Sequence, residues 1–260
     1  MADYFSIAGK RTFITGGTAG IGFAVARAFV TAGASVVITG RRATGANKAA
    51  EIGAEFISMD VGDGESITAG TRAAADVLGG GIDVAILNAG IALDTGFTAN
   101  QDMDAVRRMF EVNTLGVAQG LRDVLPFMQR GGSIIVTSSP VSTQLMPGAG
   151  AYAASKAAVN ALARTAALEL GPEGIRVNAV MPGVIRTEMS LDPSDPEAEL
   201  QMLATLTATG AVRDAGEMAP IFHFLASDAS APCTGALIEC EDGVRAGFSA
   251  LLLDKAFGAA

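Results

Sequence analysis

Short runs of β-branched and other apolar residues recur along the chain, separated by longer alanine-rich segments. The runs predict seven strands, at 12–15, 35–39, 55–59, 84–87, 133–137, 176–180 and 236–239. The segments between them predict helices at about 21–32, 44–52, 64–78, 101–128, 151–170 and 214–226. Strands that alternate with helices favour a parallel sheet with right-handed crossovers. We therefore expect an α/β fold, a doubly wound parallel seven-stranded sheet with helices on both faces.

Composition limits the domain organisation and the kind of partner. The chain has 260 residues, half of them hydrophobic, with no linker or repeat, so we expect a single domain over 1–260. A formal net charge of −9 opposes binding to nucleic acid or to anionic membranes. No basic stretch precedes an apolar run at the N-terminus, and no apolar run is long enough to cross a bilayer. We expect a soluble, cytoplasmic protein with a small-molecule partner.

Few residues are suited to metal binding or to hydrolysis by a Ser-His-Asp triad. His223 is the only histidine and lies in an apolar helical segment, where a core or interface position is expected. Cys233 and Cys240 are the only cysteines, and we expect both to be reduced thiols. We therefore expect no metal site and no triad hydrolase.

A glycine-rich turn follows the first predicted strand and leads into the first predicted helix. It has the spacing Gly-x3-Gly-x-Gly, with Gly16, Thr18, Gly20, Ile21 and Gly22 as the candidate cofactor-binding residues. Glycines permit the tight turn, and the helix N-terminus presents amide groups to a pyrophosphate. By itself such a turn is also compatible with a structural role, but its place between strand and helix indicates a Rossmann-like dinucleotide site.

Further short motifs follow in a fixed order along the chain. They are Asp60-Val61, Asn88-Ala89-Gly90, Asn113, Ser139, Tyr152-x3-Lys156 and Pro182-Gly183. Together with the glycine-rich turn, their order and spacing resembles the short-chain dehydrogenase/reductase family, in its short single-domain form. The resemblance covers essentially the whole chain. It implies an NAD(P)-dependent oxidoreductase that transfers a hydride to a carbonyl or from a secondary alcohol, an alcohol dehydrogenase or ketone reductase.

The resemblance also implies which residues contact the cofactor. Asp60 and Val61 would flank the adenine, and Asn88 would brace the sheet beside the ribose, followed by Ala89 and Gly90. The segment 182–187 matches the family pattern PGxxxT, and its cofactor-binding residues would be Pro182, Gly183, Ile185 and Thr187, with the last two at the nicotinamide carboxamide. Two alternatives remain open: Asp60 as a turn or cap residue, and 182–187 as a rigid turn without a ligand.

Tyr152 is the candidate acid/base for the proton that accompanies hydride transfer. Its pKa must fall by roughly 3 from the ordinary value near 10 before it can act as a base near neutrality. Lys156, at i+4 on the same predicted helix face, is the cation expected to lower it, and both residues would also contact the cofactor. Seen alone, this pair would more often be a packed tyrosine and a solvated lysine. The resemblance adds Ser139, thirteen residues before Tyr152, as hydrogen-bond donor to the substrate oxygen.

Asn113 and the serines around Ser139 complete the candidate catalytic set. Asn113 falls inside a predicted helix, where asparagine is unfavourable and a kink or a polar relay would explain it. By resemblance it would hold a water that links Lys156 to solvent. Ser138 is one residue too far from Tyr152 for the family's spacing. Pro140 and Ser142 depart from the frequent family pattern Ser-Ser-x-x-Gly, giving a stiffer loop with an additional hydroxyl.

The substrate region is the least constrained by sequence. An apolar pocket is expected, and no basic clamp is evident near Tyr152 apart from Lys156 and, less clearly, Arg186. The candidate substrate contacts are Ser139, Val141, Leu145, Met146, Tyr152, Val184 and Met189, with Met202 and Leu203 beside them. We expect an uncharged, fairly hydrophobic alcohol or ketone. The polar stretch 190–199 predicts a substrate lid at about 186–212, or else a plain surface loop.

The end of the second predicted strand bears on cofactor choice. NAD-selective enzymes place an acidic residue there, whereas this chain has Gly40 followed by Arg41 and Arg42. Guanidinium groups suit a 2′-phosphate, so NADP is the expected preference. NAD remains open, because solvated arginines are common in turns and the glycine-rich turn lacks a basic residue.

The C-terminal segment and the long apolar helices predict assembly. The tail at about 244–260 is apolar and is expected to pack against a neighbouring subunit or against the chain's own pocket. A homo-oligomer, by resemblance a homotetramer, is therefore expected. The alternatives to the leading function are a noncatalytic dinucleotide-binding regulator on the same fold, a 3-oxoacyl reductase type of enzyme, and an epimerase or dehydratase of the extended relatives.

Overall fold

The computed structural model describes residues 3–187 and 196–258. Its main sheet has seven parallel strands in the order β3-β2-β1-β4-β5-β6-β9. The strands are β1 Arg11–Thr15, β2 Ser35–Gly40, β3 Glu55–Ser58, β4 Ile82–Leu87, β5 Met128–Thr137, β6 Arg176–Pro182 and β9 Leu237–Cys240. A two-stranded parallel pair, β7 Ile185–Arg186 and β8 Arg213–Asp214, lies apart from it. The predicted doubly wound sheet is confirmed.

Helices cover both faces of this sheet. They are α1 Gly20–Thr31, α2 Gly45–Ile52, α3 Gly64–Val77, α4 Met103–Phe110, α5 Gly116–Val124, α6 Gly150–Leu170, α7 Pro196–Leu206, α8 Ala219–Ala226 and α9 Ala250–Phe257. One core cluster joins the sheet to α3, α5 and α6, and the other joins it to α1, α2 and α8. Within the described residues, no helix is long and apolar enough to cross a bilayer.

The strand order places the loops that follow β1, β4, β5 and β6 at one edge of the sheet. Because β4 pairs with β1 on one side and with β5 on the other, the direction of winding reverses between β1 and β4. Ligands of open α/β sheets bind at such a reversal, outside the carboxyl ends of the strands. The motifs that follow β1, β4, β5 and β6 therefore lie near one crevice.

The predicted helix at 101–128 is wrong in its continuity and in its end. α4 ends at Phe110, a π-helical turn covers Glu111–Leu115, and α5 ends at Val124. A 3-10 turn with Pro126 follows, because proline cannot continue the hydrogen-bonding of the helix. β5 begins at Met128 and passes a register shift before it pairs regularly with β4 from Ser133 onwards.

The predicted lid and tail are partly described by the structure. Residues 188–195, which include most of the polar stretch, lie outside the described residues, but α7 begins at Pro196 within that stretch. The tail forms α9, which contacts α7 of the same chain. The Ser249 hydroxyl accepts a hydrogen bond from the Leu252 amide and also donates to the Thr205 carbonyl. Phe248 and Phe257 remain about four-fifths exposed, at 80% and 78%.

Candidate active site

The glycine-rich turn forms a cradle at the N-terminus of α1. Gly16 and Gly20 have positive φ angles of 65° and 53°, which side chains disfavour. A Cβ atom at Gly22 would lie 2.4 Å from the Gly16 carbonyl oxygen and 2.5 Å from Asn88 Nδ2, so only glycine fits there. The N-cap residue Ala19 offers no side-chain acceptor to the amides of the first turn, and that turn carries no acidic residue. These amides are therefore available to an anion, as at other helix N-termini that follow a glycine-rich turn.

Asn88 joins the carboxyl ends of three adjacent strands. Its Nδ2 donates to the carbonyl oxygens of Thr15 at 3.2 Å and Gly16 at 3.3 Å. Its Oδ1 accepts a hydrogen bond from the Thr137 hydroxyl at 3.2 Å. The Thr15 hydroxyl in turn accepts from the backbone amides of Asn88 and Ala89. The Asn88 side chain therefore links the ends of β1, β4 and β5.

Asn113 lies in the π-helical turn, completely buried, and its side chain binds the loop after β4. Oδ1 accepts from the Ile91 amide and Nδ2 donates to the Ile91 carbonyl, both at 2.8 Å. Nδ2 also donates to the Ser155 hydroxyl at 3.1 Å. A Cβ atom at Gly90 would lie 3.2 Å from both Asn113 Oδ1 and Lys156 Nζ. Gly90 therefore keeps open the space between these two polar groups.

Lys156 is held inside the protein. Its side chain comes from α6, and Nζ donates a hydrogen bond of 2.9 Å to the Thr137 carbonyl at the end of β5. Burial lowers the pKa of Lys156 to about 8. Because the ammonium form remains dominant below that pH, Lys156 is a fixed cation near neutrality, whereas the solvated lysine considered from sequence is not what the structure shows.

Tyr152 meets Ser139 across the crevice. Burial raises the pKa of Tyr152, and a side-chain hydrogen bond with Ser139 opposes that rise. Lys156 Nζ lies 5.9 Å from the Tyr152 ring centroid. The expectation that Lys156 lowers the pKa of Tyr152 is therefore not met in the protein alone, because desolvation of the phenol outweighs the groups that favour the phenolate. Ser138, by contrast, donates to the Lys156 carbonyl at 3.3 Å, on the helix backbone.

Asp60 follows β3 and already has two partners. Its Oδ1 accepts from the Gly62 amide at 2.9 Å, a turn that the sequence analysis left open as the alternative role. Its Oδ2 lies 3.4 Å from Arg108 Nη2 on α4. The neighbouring Val61 carbonyl approaches Gly116, where a Cβ atom would lie only 2.5 Å away. The carboxylate is thus fixed in place at the edge where the crevice opens.

The segment 182–187 faces the glycine-rich turn. Gly183 donates to the Cys240 carbonyl at 2.9 Å, and Ile185 is buried in β7. A Cβ atom at Gly20 would lie 3.4 Å from Thr187 Cγ2, so Thr187 packs beside the cradle. The segment 182–187 is therefore a neighbour of the glycine-rich turn.

The turn after β2 also adjoins the cradle. A Cβ atom at Gly40 would lie 2.8 Å from Thr18 Oγ1 and 2.9 Å from Thr18 Cγ2. Arg41 and Arg42 follow immediately and are exposed. Gly40 and Thr18 are therefore in contact. Both are predicted cofactor-binding residues, and they lie in different turns.

Of the candidate substrate residues, those that directly follow β5 and β6 lie at the same edge of the sheet as the glycine-rich turn. Val141 lies in a 3-10 turn after β5, and Val184 lies between β6 and β7. Leu145 and Met146 follow this 3-10 turn and are 75% and 51% exposed, so these two apolar side chains do not line an enclosed pocket. Met189 lies outside the described residues. Within those residues, no group of three or more histidine, cysteine or acidic side chains is arranged to hold a metal ion.

The donors present fit a dinucleotide. The uncapped amides of α1 suit a pyrophosphate, and the cradle is closed by contacts that only glycine permits at Gly22. Comparison with known proteins agrees with this geometry, since the family described as enoyl-(acyl carrier protein) reductase matches residues 16–245. The chain belongs to the short-chain dehydrogenase/reductase family. This short-chain dehydrogenase/reductase is an NAD(P)-dependent oxidoreductase of the alcohol dehydrogenase or ketone reductase kind, as the resemblance implied.

Individual relatives match this short-chain dehydrogenase/reductase over most of their length. A 3α-hydroxysteroid dehydrogenase of Mediterraneibacter gnavus is 34% identical over 254 residues, covering 93% of this chain and 99% of the relative. A trans-4-hydroxycyclohexanecarboxylate dehydrogenase of Sinomonas cyclohexanicum is 34% identical, covering 93% and 95%. A crystal structure of a short-chain dehydrogenase of Burkholderia cenocepacia in complex with NADP has a TM-score of 0.85 at 30% identity, covering 92% and 99%.

Several residues of this short-chain dehydrogenase/reductase site were missed from sequence. Thr15 and Thr137 hold Asn88, and Thr137 also accepts from Lys156 through its carbonyl. Ser155 accepts from Asn113 and donates to the Tyr152 carbonyl at 2.7 Å. Arg108 contacts Asp60. The available signal was a polar residue at the last position of a buried strand, as at Thr15 and Thr137.

Proposed function

We propose that Tyr152 is the acid/base of this enzyme and that Ser139 and Lys156 act on it directly. The observation that carries this is the convergence of three buried groups from two elements: Ser139, whose side chain is close enough to oppose the rise in the pKa of Tyr152, Tyr152 itself, and Lys156, whose Nζ lies 5.9 Å from the Tyr152 ring centroid. In ketone reduction, the Tyr152 hydroxyl donates a proton to the developing alkoxide; in alcohol oxidation, the phenolate removes it. Ser139 donates a hydrogen bond to the substrate oxygen in both directions.

The dinucleotide is held, in this proposal, by residues from five loops, those after β1, β2, β3, β4 and β6, and from α6. Bound NADP(H) or NAD(H) supplies the hydride acceptor or donor and, when oxidised, a positive charge that favours the phenolate. The proposed contacts are Gly16, Thr18, Gly20, Ile21, Gly22, Gly40, Arg41, Arg42, Asp60, Val61, Asn88, Ala89, Gly90, Tyr152, Lys156, Pro182, Gly183, Ile185 and Thr187. Lys156 orients the cofactor and supplies a fixed positive charge, and Asn113 supports a proton path between Lys156 and solvent through the space beside Gly90.

We further propose that NADP is preferred to NAD. The support is the absence of an acidic side chain at Gly40 and the presence of two exposed guanidinium groups, those of Arg41 and Arg42, next to it. The contact between Gly40 and Thr18 places this turn against the cradle.

The proposed substrate is an uncharged, hydrophobic secondary alcohol or ketone whose hydroxyl or carbonyl group is on a ring. The exposed apolar rim of Leu145 and Met146 supports an apolar substrate. Two relatives that match nearly the whole chain are named for hydroxysteroid and hydroxycyclohexanecarboxylate substrates. Both are cyclic alcohols, which supports the ring system, and the second carries a carboxylate, so the lack of charge rests on the apolar residues alone. The lid at about 186–212, with α7 as its described part, would close over this rim.

We propose a homotetramer that works in the cytoplasm. The support for assembly is exposed apolar surface on the helices that cover the sheet, with Leu168 of α6 at 81% and Leu115 at 63% exposure, together with Phe248 in the tail. A monomeric mass in light scattering at micromolar concentration would contradict the assembly.

A substrate screen tests the proposed function. Purified protein is offered a panel of cyclic and acyclic secondary alcohols and ketones, with and without a carboxylate, and with each nicotinamide cofactor, while the absorbance of the reduced cofactor is followed. Turnover of neutral cyclic compounds with NADP(H), abolished in Tyr152→Phe, is the expected result. Turnover confined to charged or acyclic compounds would contradict the proposed substrate class.

A further inference from the structure

Ser142 binds the backbone of Ser139 from within the same turn. The Ser142 hydroxyl donates to the Ser139 carbonyl at 2.5 Å, and the Ser142 amide donates to that same oxygen at 3.1 Å. One carbonyl therefore accepts two hydrogen bonds, and the direction of the peptide that follows Ser139 is fixed.

Asn160 holds Ser142 from the neighbouring helix. Asn160 Nδ2 donates to the Ser142 hydroxyl at 2.8 Å, and the same nitrogen lies 3.8 Å from the Met181 sulfur on β6. Asn160 follows Lys156 by four residues and Tyr152 by eight, so the three side chains share one face of α6. A chain of hydrogen bonds thus runs from the helix that carries Tyr152 to the peptide of Ser139.

This chain is buried and includes an unsatisfied oxygen. Ser139, Ser142 and Asn160 are 9%, 8% and 6% exposed. Within the part of the chain that the structure describes, Asn160 Oδ1 has no hydrogen-bond partner. A buried carbonyl oxygen without a partner destabilises a fold, and asparagine is unfavourable inside a helix. An apolar side chain of similar size would avoid both costs, so stability alone does not account for the amide.

We propose that Ser142 and Asn160 are positioning residues, which hold the Ser139 peptide so that the Ser139 hydroxyl stays directed at Tyr152 and at the substrate oxygen. The inference rests on the proposed role of Ser139. Ser139 is extended, with φ −158° and ψ 149°, and Pro140 fixes the next φ angle. Because Pro140 fixes only its own φ, rotation about ψ of Ser139 can still redirect the peptide, and the two hydrogen bonds to the Ser139 carbonyl restrict that rotation.

The test compares Ser142→Ala and Asn160→Leu with a matched control in the same turn. The Thr143 hydroxyl donates to the Pro140 carbonyl at 3.1 Å, also three residues back, so Thr143→Val removes an equivalent hydrogen bond that does not reach Ser139. With a substrate found in the screen, we expect kcat to fall roughly tenfold in Ser142→Ala and in Asn160→Leu, because small displacements of a catalytic group are costly. The dissociation constant of NADPH, measured by fluorescence titration, should stay within twofold, and Thr143→Val should match the wild type in both.

Asn160→Leu has a second readout that separates positioning from stability. We expect its melting temperature to equal or exceed that of the wild type while its kcat falls, because the unsatisfied oxygen is removed together with the hydrogen bond to Ser142. If the leucine does not pack, Asn160→Ala and Ser142→Ala still test the positioning through kcat with unchanged NADPH affinity. A loss of kcat that only follows loss of folded protein or of NADPH affinity would overturn the proposal.

Double variants that include Ser139→Ala show whether the loss of kcat in Ser142→Ala and Asn160→Leu arises through Ser139. If Ser142 and Asn160 act through Ser139, adding Ser142→Ala to Ser139→Ala should lower kcat less than twofold further. A full additional tenfold loss would overturn the inference. Normal kcat in Ser142→Ala, with kcat lost in Ser139→Ala, would overturn it while leaving the proposed site intact. Normal kcat in Ser139→Ala would overturn the proposed role of Ser139 and this inference together.

Discussion

The Lys156 ammonium lies near the Tyr152 ring, 5.9 Å from its centroid, while its hydrogen bond is made to the Thr137 carbonyl. The two side chains are therefore neighbours on α6. Neither is held in place by a direct ion pair between the ammonium and the phenol oxygen. Burial raises the pKa of Tyr152 and lowers the pKa of Lys156 to about 8. Both groups favour their neutral forms more than free side chains do, and a cationic bound cofactor would favour the phenolate.

Tyr152→Phe should abolish turnover with little effect on folding. Only one hydroxyl is removed, and a positioned acid/base contributes about 100-fold to 10,000-fold to the rate. We expect kcat to fall by at least that lower amount, with NADPH affinity nearly unchanged. Tyr4 is the only other tyrosine and is 62% exposed near the N-terminus, so Tyr4→Phe is the matched control and should keep full activity. A folded Tyr152→Phe protein within a few-fold of wild-type turnover would rule out the proposed mechanism.

Lys156→Met should change how stability depends on pH. The folded-state pKa of about 8 lies below the ordinary 10.5, so the unfolded chain binds more protons between these values. Wild-type stability therefore rises with pH across this window, relative to the variant, by about 3 kcal/mol. Urea unfolding of both proteins at pH 7 and pH 10 measures the difference. If the difference in unfolding free energy between the two proteins is the same at both pH values, folding does not lower the pKa of Lys156.

Gly40→Asp should shift cofactor preference towards NAD, provided that the Thr18 side chain is shortened to make room for it. The new Cβ atom would lie under 3 Å from the Thr18 side chain, at 2.8 Å and 2.9 Å, so Thr18→Ala is introduced with it. The carboxylate would repel a 2′-phosphate and accept hydrogen bonds from a free ribose hydroxyl. We expect the ratio of kcat/KM for NADP to that for NAD to fall at least tenfold, relative to Thr18→Ala alone. A wild-type preference for NAD, or an unchanged ratio, would show that this turn does not select the cofactor.

Ser249→Ala should weaken the contact of α9 with α7, so that α7 opens more readily. The Ser249 hydroxyl caps α9 and also donates to the Thr205 carbonyl in the last turn of α7. Loss of an N-cap costs about 1 kcal/mol, which is roughly a fivefold change in a local opening constant. Hydrogen exchange of the α7 amides should therefore speed up by about that factor, while Ser249→Thr, which keeps a hydroxyl, should not differ from the wild type. Unchanged exchange in Ser249→Ala would mean that α9 does not support α7.

The fold was predictable because each strand of the main sheet is a separate apolar run whose ends are marked by polar or glycine residues. The six connections between successive strands of the main sheet could then be predicted from the order of strands and helices along the chain. The prediction of one helix over 101–128 failed because the composition of this region is typical of a helix throughout. The π-helical turn depends on the contact of Asn113 with Ile91, and the break that follows α5 depends on the ring of Pro126. The short pair β7 and β8 has only two residues in each strand, too few for a pattern.

For the candidate site, the order and spacing of the motifs predicted Ser139, Tyr152, Lys156 and Asn113 but not their environments. The structure places these side chains near one another, and their roles stay predictions. The raised pKa of Tyr152 depends on burial, which arises from tertiary packing and has no local signature. The hydrogen bond between Asn160 and Ser142 joins residues 18 positions apart, and nothing in either segment alone indicates the other.

Asn88 has a consequence for how the enzyme acquires its activity. Its side chain joins β1, β4 and β5 through residues 73 and 49 positions away in the chain. A nascent or truncated polypeptide that ends before β5 contains the whole glycine-rich turn but lacks Thr137, which anchors the other end of the Asn88 amide. Non-local pairing of this kind is slow to form. Dinucleotide affinity should therefore emerge late during refolding, after the centre of the sheet is complete, and its recovery reports on the entire chain up to β5.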